Sequence, residues 1–519
     1  MMKRREFLRN ATVAASVAML NRARLGASPL VAPASTPAPG ILDVGGTRQL
    51  FLDDLLIAER SRISNFMYRP DKNPKNPVVV ADRPWELEGG DSGVQQDGQG
   101  VMYDAEEQLF KMWYLTSGWS NGLSPWCYAI SKNGYDWEKP ELGIYEYKGS
   151  RKNNILAAWK GDVDMSFSNV TKTPHDPDPQ ARYKAMGEWE NAPPANKNGG
   201  ACVAFSPDGL HWTVKEKAAI HHGRNLGDAP QMFGWDPWKK KYVAYPRPGH
   251  GLGYEINGFG QHRHIRTIGY AESDDFIHWT PTQIMIAPDL EDRVDYQYGQ
   301  FVAGLCGNFY VGFLMVHQTH EQTWGVFLLS SRDGFHWNWV DRHTPFLVRG
   351  EVGTYDAGYQ DMCGPITHDG KIFIYYSGMR GLHSAVLNPR WGPNRSCIAM
   401  ATMPEDRWLG LLAGPDQGTI VTKPITFTGS RLMVDVEAST PQSVPGPKLG
   451  FDECEVRLAL VDQSGGRIEG FTSDRSTRLL RSGRQEVSWA GADLRSLEGK
   501  FIRIRFEIRN AALYSFQFV

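Results

Sequence analysis

Cysteine, net charge and long hydrophobic runs are all scarce in this sequence. The six cysteines among 519 residues lack metal-ligand spacing, and most lie in apolar runs that suit buried thiols. The net charge of −2 gives no general attraction to nucleic acid or anionic lipid. No run reaches the roughly 20 apolar residues that span a bilayer, and no long stretch has helical periodicity. These absences argue against a membrane span, a nucleic-acid partner and an α-helical fold, and no cofactor or metal is predicted.

The N-terminal segment predicts export. Arg4 and Arg5 stand just before the short, Ala-rich stretch 11–20, and a Ser/Pro/Ala-rich tract follows Ala27. This pattern predicts a signal peptide over 1–27 and a linker over 28–40. The paired arginines followed by Phe-Leu favour recognition by the twin-arginine export machinery, with an ordinary secretory signal as the alternative. The expected location is periplasmic or secreted.

A short turn that ends in tryptophan recurs four times. Each copy has a serine six residues before the tryptophan, with an Asn/Asp-Gly or Asp-Asp pair between them. The copies are 131–137, 206–212, 273–279 and 331–337. Their tryptophans are 75, 67 and 58 residues apart (212−137, 279−212, 337−279), which suits one four-stranded propeller blade each.

The runs between these turns predict an all-β fold. Each unit has three short apolar or aromatic runs, such as 110–114 and 309–316, and a fifth unit ends in a degenerate turn at Trp408. From about residue 415 the runs alternate apolar with polar residues, as in a sheet buried on one face. We therefore predict a five-bladed β-propeller over 41–412 and a C-terminal β-sandwich over 413–519.

Carboxylates precede the first strand of every predicted blade, at the end where those strands converge. The acids expected there include Asp91, Asp97, Asp164, Asp228, Glu291, Asp295 and Asp361. The second strands end near Glu188, Arg247 and Arg380. Grouped carboxylates suit glycoside hydrolysis, which needs one protonated acid and one ionised base or nucleophile. An Asp before a strand is also an ordinary turn residue, so the group carries more weight than any member.

The turns and three acidic runs resemble those of five-bladed glycoside hydrolases of families 32, 43 and 130. Gln96-Asp97-Gly98-Gln99-Gly100 is similar to the family 32 run whose Asp is the nucleophile. Gly227-Asp228-Ala229-Pro230 is similar to the run whose Asp stabilises the transition state, and Glu291-Asp292-Arg293-Val294-Asp295 to the run whose Glu is the acid. The resemblance implies that Asp97, Asp228 and Glu291 are catalytic, with Asp295 in place of Glu291 if the register shifts. Residues Asp91, Asp164, Glu188, Arg247, Asp295, Asp361 and Arg380 would bind a carbohydrate substrate.

Two alternatives stay open. A sialidase-like enzyme has a similar turn, and Arg247, Arg266 and Arg380 at one mouth would favour an anionic sugar. A propeller can also bind glycans without cleaving them.

Overall fold

We describe a computed structural model of the chain. It describes residues 42–87, 93–96, 98–116, 125–158, 165–189, 200–221, 228–248, 252–255, 262–383, 396–438 and 454–519. These residues form sheets joined by turns, in which the strands pair antiparallel except for one parallel pair, Leu42–Gly45 with Ile425–Phe427. The described part has only three short 3-10 segments, Pro179–Ala181, Ser473–Arg475 and Leu494–Leu497. The prediction of an all-β fold is confirmed. None of the helices in these ranges is long and apolar enough to cross a membrane.

Five strands precede the repeats. They are β1 (Leu42–Gly45), β2 (Gln49–Leu50), β3 (Ile57–Ser61), β4 (Ser64–Met67) and β5 (Asp71–Lys72). The strands β1 to β4 pair with C-terminal strands, and β5 joins the outer edge of a later sheet. Residues 42–67, placed with the propeller by the sequence, therefore pair outside the repeats. Their short alternating runs carry no mark that separates them from blade strands.

Five sheets follow along the chain, and we call them sheets I to V. Sheet I contains β6 (Val94–Gln95), β7 (Val101–Asp104), β8 (Leu109–Thr116), β9 (Pro125–Ser131) and β10 (Ile155–Ala158). Sheet II contains β11 (Met165–Lys172), β12 (Tyr183–Trp189), β13 (Gly200–Ser206) and β14 (Thr213–His221). Sheet III contains β15 (Asp228–Asp236), β16 (Lys241–Arg247), β19 (Ile268–Ser273) and β20 (Gln283–Ile286), with a separate hairpin of β17 (Leu252–Glu255) and β18 (His262–Ile265).

Sheets IV and V complete the repeats. Sheet IV contains β21 (Tyr296–Cys306), β22 (Phe309–Gln318), β23 (Thr323–Ser331) and β24 (Asn338–Trp339). Sheet V contains β25 (Tyr359–Met362), β26 (Ile366–His368), β27 (Lys371–Met379) and β28 (Ser396–Pro404). The N-terminal β5 pairs with β28, with Lys72 opposite Ala401, so strands from both ends of this region share sheet V.

The five sheets pack in a closed order. Separate apolar cores lie between sheets I and II, II and III, III and IV, IV and V, and V and I. The first strands of sheets II and III and of sheets III and IV contact each other, and β26 of sheet V contacts β7 of sheet I, as strands around a propeller axis do. Because each sheet is covered on both faces, the β22 sequence FYVGFLMVHQ is buried at every position.

The repeated turns share one hydrogen-bond pattern. In each, the serine Oγ accepts the backbone N–H three residues later at 2.8 or 2.9 Å. The Asn or Asp two residues after the serine accepts the backbone N–H groups two and three residues beyond itself. The residue three positions after the serine has φ between +69° and +78°, which explains glycine at 134, 209 and 334. Phe276 adopts this left-handed conformation in the remaining copy. Trp137, Trp212, Trp279, Trp337 and Trp408 each lie in the core between their own sheet and the preceding one.

The remaining strands form two further sheets, VI and VII. They are β29 (Leu409–Ala413), β30 (Gly418–Thr422), β31 (Ile425–Phe427), β32 (Leu432–Glu437), β33 (Glu455–Asp462), β34 (Gly483–Val487), β35 (Ile502–Arg509) and β36 (Ala511–Phe518). Sheet VI has the order β1-β31-β35-β30-β3 with β33 on β35, and sheet VII has the order β34-β32-β36-β29-β4 with β2 on β36.

Sheet VII is buried on both faces. Along β36, Ala511 and Leu513 enter the core shared with sheet VI, whereas Ala512 and Tyr514 enter the core of sheets IV and V. This alternation follows from the two-residue period of a strand. The C-terminal sheets therefore rest directly on the repeats. All six cysteines lie within the described ranges, none in a disulfide, and five are buried.

Candidate active site

At one end of sheets I to V, the connection that leads into the first strand lies next to the connection between the second and third strands. We call this end the mouth. In sheet IV these connections touch, because Thr319 N donates to Asp295 O at 3.0 Å. Among the predicted site residues, Asp91, Asp97 and Asp164 lie outside the described residues, and Asp228 and Glu188 are described by their backbone alone. The remaining predicted residues are Arg247, Glu291, Asp295, Asp361 and Arg380.

The segment around position 97 is anchored at both ends. Before it, Gln96 N donates to Ser377 Oγ, and that hydroxyl donates back to Gln96 O, both at 2.6 Å. After it, Gly98 has φ +98°, and a Cβ there would lie 1.8 Å from Gln231 Oε1 and 2.4 Å from Asn169 Oδ1. Only glycine fits this conformation and this space. Sheets II, III and V therefore fix the chain on either side of the predicted nucleophile.

Asn169 joins the runs that follow Asp97 and Asp228. Its Oδ1 accepts the backbone N–H of Gln99 at 2.9 Å and that of Met232 at 3.3 Å. Its Nδ2 donates to the carbonyl of Pro230 at 2.8 Å. The side chain is fully buried, so these bonds form away from competing water. The two acidic runs consequently meet at one amide group of sheet II.

Arg247 lies at the mouth end of β16, opposite Asp228 in the strand register. Its side chain is nearly buried, and Nη1 donates to the carbonyl of Gly299 in sheet IV at 2.9 Å. It therefore brings a cation between sheets III and IV. Glu188 pairs with Ser166 in the backbone register of sheet II.

His317 and His383 lie near Arg247. The ring of His317, at the end of β22, stacks on Trp324 at 5.2 Å and lies 4.4 Å from the ring of His383. Burial, then His383, Arg266 and Arg247, lower the pKa of His317 to about 3. The pKa of His383 is also lowered, first by removal of its ring from water and then by the charges of Arg266 and Arg247, although part of this residue is exposed to solvent. Both imidazoles are thus neutral at pH 7.

Asp295 and Glu291 occupy different surroundings. Asp295 is 13% exposed, pairs with Arg293 at 3.1 Å and contributes to the electrostatic surroundings of His317. Glu291 is 78% exposed, and its nearest cation is Arg342, at 3.6 Å beyond the last strand of sheet IV. Of the two, Asp295 is the carboxylate that the fold brings to the histidine pair.

The two residues from sheet V also differ. Asp361 is nearly buried on β25, and Met362 beside it enters the core with sheet IV. Because strand side chains alternate, Asp361 faces sheet I, which carries the segment around position 97. Arg380 follows the end of β27 and is exposed at the mouth.

Sequence reasoning did not identify Trp324, His383 or Asn169 as site residues. Trp324 and His383 meet only through the packing of sheet IV against sheet V, so no local pattern marks them. Asn169 did carry a signal, since an amide inside the apolar run of β11 must find hydrogen-bond partners when buried. No group of three or more His, Cys, Asp or Glu in the described part of the chain is arranged to hold a metal ion.

The solved structures similar to this chain include glycoside hydrolases. No family model and no curated protein matches it. Similar solved structures include a glycoside hydrolase (15% identity, TM-score 0.44, 65% of this chain and 94% of that one). A thermostable family 43 glycoside hydrolase has 13% identity and a TM-score of 0.42, over 66% of this chain and 95% of that one.

A third similar structure comes from family 130, mannoside phosphorylases that include hydrolases of β-1,2 mannosidic linkages in Candida mannan. It has 14% identity and a TM-score of 0.39, over 67% of this chain and 97% of that one. Families 43 and 130 are two of those that the turns and acidic runs resemble. At TM-scores below 0.5, the likeness identifies neither the activity nor the substrate of this chain.

Proposed function

We propose that this protein is an exported glycosidase that hydrolyses an oligo- or polysaccharide with paired carboxylates at the mouth. The observation that carries the proposal is the meeting of two acidic runs at Asn169. Gln99 follows Asp97 by two residues, Pro230 follows Asp228 by two, and both bond to that one amide. A nucleophile and the carboxylate that stabilises the developing positive charge act on the same sugar ring, so the chain segments that carry them must meet.

In this proposal Asp97 is the nucleophile or general base, and Asp228 stabilises the positive charge that develops on the sugar. The general acid, which protonates the leaving oxygen, is Asp295 or Glu291. The shielded position of Asp295 near His317 supports Asp295 over Glu291. Neutral imidazoles of His317 and His383 can exchange hydrogen bonds with sugar hydroxyls without adding charge. Asp361, Glu188, Asp91, Asp164 and Arg380 remain candidates for binding further sugar units.

The test is a hydrolysis screen of the mature protein against aryl-glycosides and plant and algal oligosaccharides. In an active protein, Asp97→Asn and Asp228→Asn each lower kcat by orders of magnitude because they remove charge at nearly constant volume. Asp295→Asn and Glu291→Gln then identify the acid, which is the residue whose loss spares substrates with good leaving groups. Asp208→Asn is the control, because Asn133 occupies the same place in the first turn. Binding without turnover by the wild type would instead support a non-catalytic glycan-binding propeller.

A sialidase-like hydrolase of an anionic sugar is the second candidate, supported by the two arginines near the histidine pair. Arg247 and Arg266 both act on His317 and His383, and guanidinium groups suit carboxylate or sulfate groups. Arg266→Gln then raises KM for acidic oligosaccharides and leaves KM for neutral ones unchanged. Equal effects on both substrate classes would contradict the anionic assignment.

A further inference from the structure

Asn169 occupies an irregular point in the first strand of sheet II. The pairing of β11 with β12 shifts register between Phe167 and Asn169, and such a bulge redirects the side chain. The Asn169 amide therefore reaches the two neighbouring sheets. It accepts from Gln99 in sheet I and from Met232 in sheet III, and it donates to Pro230 in sheet III.

We infer that Asn169 is a positioning residue that holds the run after Asp97 against the run after Asp228. The inference rests on the proposed glycosidase function. Each acid lies two residues before a backbone group that Asn169 holds, and consecutive Cα atoms are about 3.8 Å apart. A movement at the amide is thus transmitted over a short length of chain to each acid. Glycosidase chemistry is sensitive to such movement, because Asp97 must also keep its distance from the general acid, which is about 5–5.5 Å in retaining and about 6.5–9.5 Å in inverting enzymes.

The hydrogen bonds at position 169 suit an amide side chain. One side chain must accept two N–H groups and also donate to a carbonyl, which neither a carboxylate nor an aliphatic group can do. An aspartate at 169 would keep the acceptor, lose the donor and set an oxygen against the Pro230 carbonyl. Its negative charge would also raise the pKa of neighbouring carboxyl groups. The separation and the titration of the acids would therefore change together.

The matched control is Asn153, another buried amide in the structure. Asn153 Oδ1 accepts the N–H of Ile155 at 3.0 Å, and Nδ2 donates to the carbonyls of Tyr145 and Ser150 at 2.9 and 3.3 Å. These three bonds lie within one connection of sheet I and join neither acidic run. Replacing either asparagine with aspartate removes the same kind of donor from a buried site.

The experiment compares wild type, Asn169→Asp and Asn153→Asp on a substrate from the hydrolysis screen. We expect Asn169→Asp to lower kcat about 100-fold, as misplacement by about 1 Å can. KM should stay within a few-fold, and the acidic limb of the kcat against pH profile should move upward. Asn153→Asp should lower thermal stability with kcat and pH profile unchanged. If Asn169→Asp does not fold, Asn169→Ser, whose side chain is too short to bond to both runs, supplies the same kcat measurement.

Two failures are distinguishable. A wild type that hydrolyses no substrate, or an Asp97→Asn variant that keeps full activity, overturns the proposed function and the role of Asn169 with it. If Asp97→Asn is inactive but the Asn169 variants match the Asn153 control in kcat and pH profile, only the positioning role is overturned.

Discussion

Asp406 is expected to make the stability of the protein fall as the pH rises from 4 to 7. This carboxylate is 6% exposed where the turn after β28 meets sheet VII, and it accepts hydrogen bonds from Arg48 at 2.9 Å and Ser515 at 3.4 Å. Burial raises its pKa from 3.8 to about 6 despite the opposing effect of Arg48, with Glu405 and Asp435 adding to the rise. The folded protein therefore binds a proton that the unfolded chain releases between these two values.

The magnitude follows from the size of the shift. Each pKa unit corresponds to about 1.4 kcal/mol, so ionising Asp406 in the folded state costs about 3 kcal/mol at neutral pH. The Asp406→Asn variant keeps the volume and has no carboxylate to ionise. The free energy of unfolding of the variant minus that of the wild type should thus increase by about 2–3 kcal/mol between pH 4 and pH 7.5. Urea unfolding followed by tryptophan fluorescence measures both values.

The difference between the two proteins is the informative quantity, because other groups also titrate. His317 acts in the opposite sense: its pKa of about 3 in the folded state lies below 6.5, so its contribution is lost as the pH falls through that range. Asp208→Asn serves as the control. The backbone N–H and side chain of His211, among other hydrogen bonds, outweigh burial and lower the Asp208 pKa to about 2, so it stays ionised above pH 5. A difference between Asp406→Asn and wild type that is constant with pH would refute the reasoning.

Three further predictions test the segment beside Asp97, the repeated turns and the export signal. Gly98→Ala should lower kcat at least about tenfold, because the new Cβ would overlap Gln231 Oε1 and Asn169 Oδ1. The control is Gly143→Ala, at φ +71° with nothing within 4 Å of the new Cβ, which should cost only about 1–2 kcal/mol of stability and leave kcat unchanged. Phe276→Gly introduces the glycine found in the other turns, yet we expect the free energy of unfolding, measured in urea, to fall by about 2–3 kcal/mol. Removing a buried phenyl ring destabilises the fold more than relief of the backbone strain stabilises it. Increased stability would contradict this prediction. Arg4→Lys with Arg5→Lys should abolish export while the protein still folds, as fractionation and immunoblotting would show, and normal secretion would contradict the twin-arginine assignment.

Local signals in the sequence predicted the repeated turns and the strands between them. Serine, Asn/Asp and glycine at 206, 208 and 209 each serve a hydrogen bond or a backbone angle inside a single turn, so the pattern is visible in seven residues. The pairing of β1 to β4 with C-terminal strands was not predictable in this way. Leu50 meets Ser515 across the whole chain, and nothing in two alternating runs specifies that they are partners.

The candidate site was predictable only in part, for a related reason. Asp295 and Arg247 were recognised because they follow or precede strands, which is a local property. The association of Arg247 with His383 and of Asp295 with His317 depends on how the sheets pack. The difference between Asp295 and Glu291 depends on the path of one connecting loop. Asn169 shows the remaining signal, since a polar residue in a buried strand requires partners that only the fold identifies.

The strand β36 has a consequence for the order of folding. It is the partner of β2, β29 and β32, so sheet VII cannot be completed until residues 511–518 have been synthesised. At about 5–20 residues per second, Leu50 waits roughly 20–90 s for Ser515 to leave the ribosome. During that time Phe51 and the strands around it have no sheet to enter, and unpaired strand edges promote association between chains. The late pairing of β2 with β36 is therefore expected to limit the folding rate and to be the stage most exposed to aggregation.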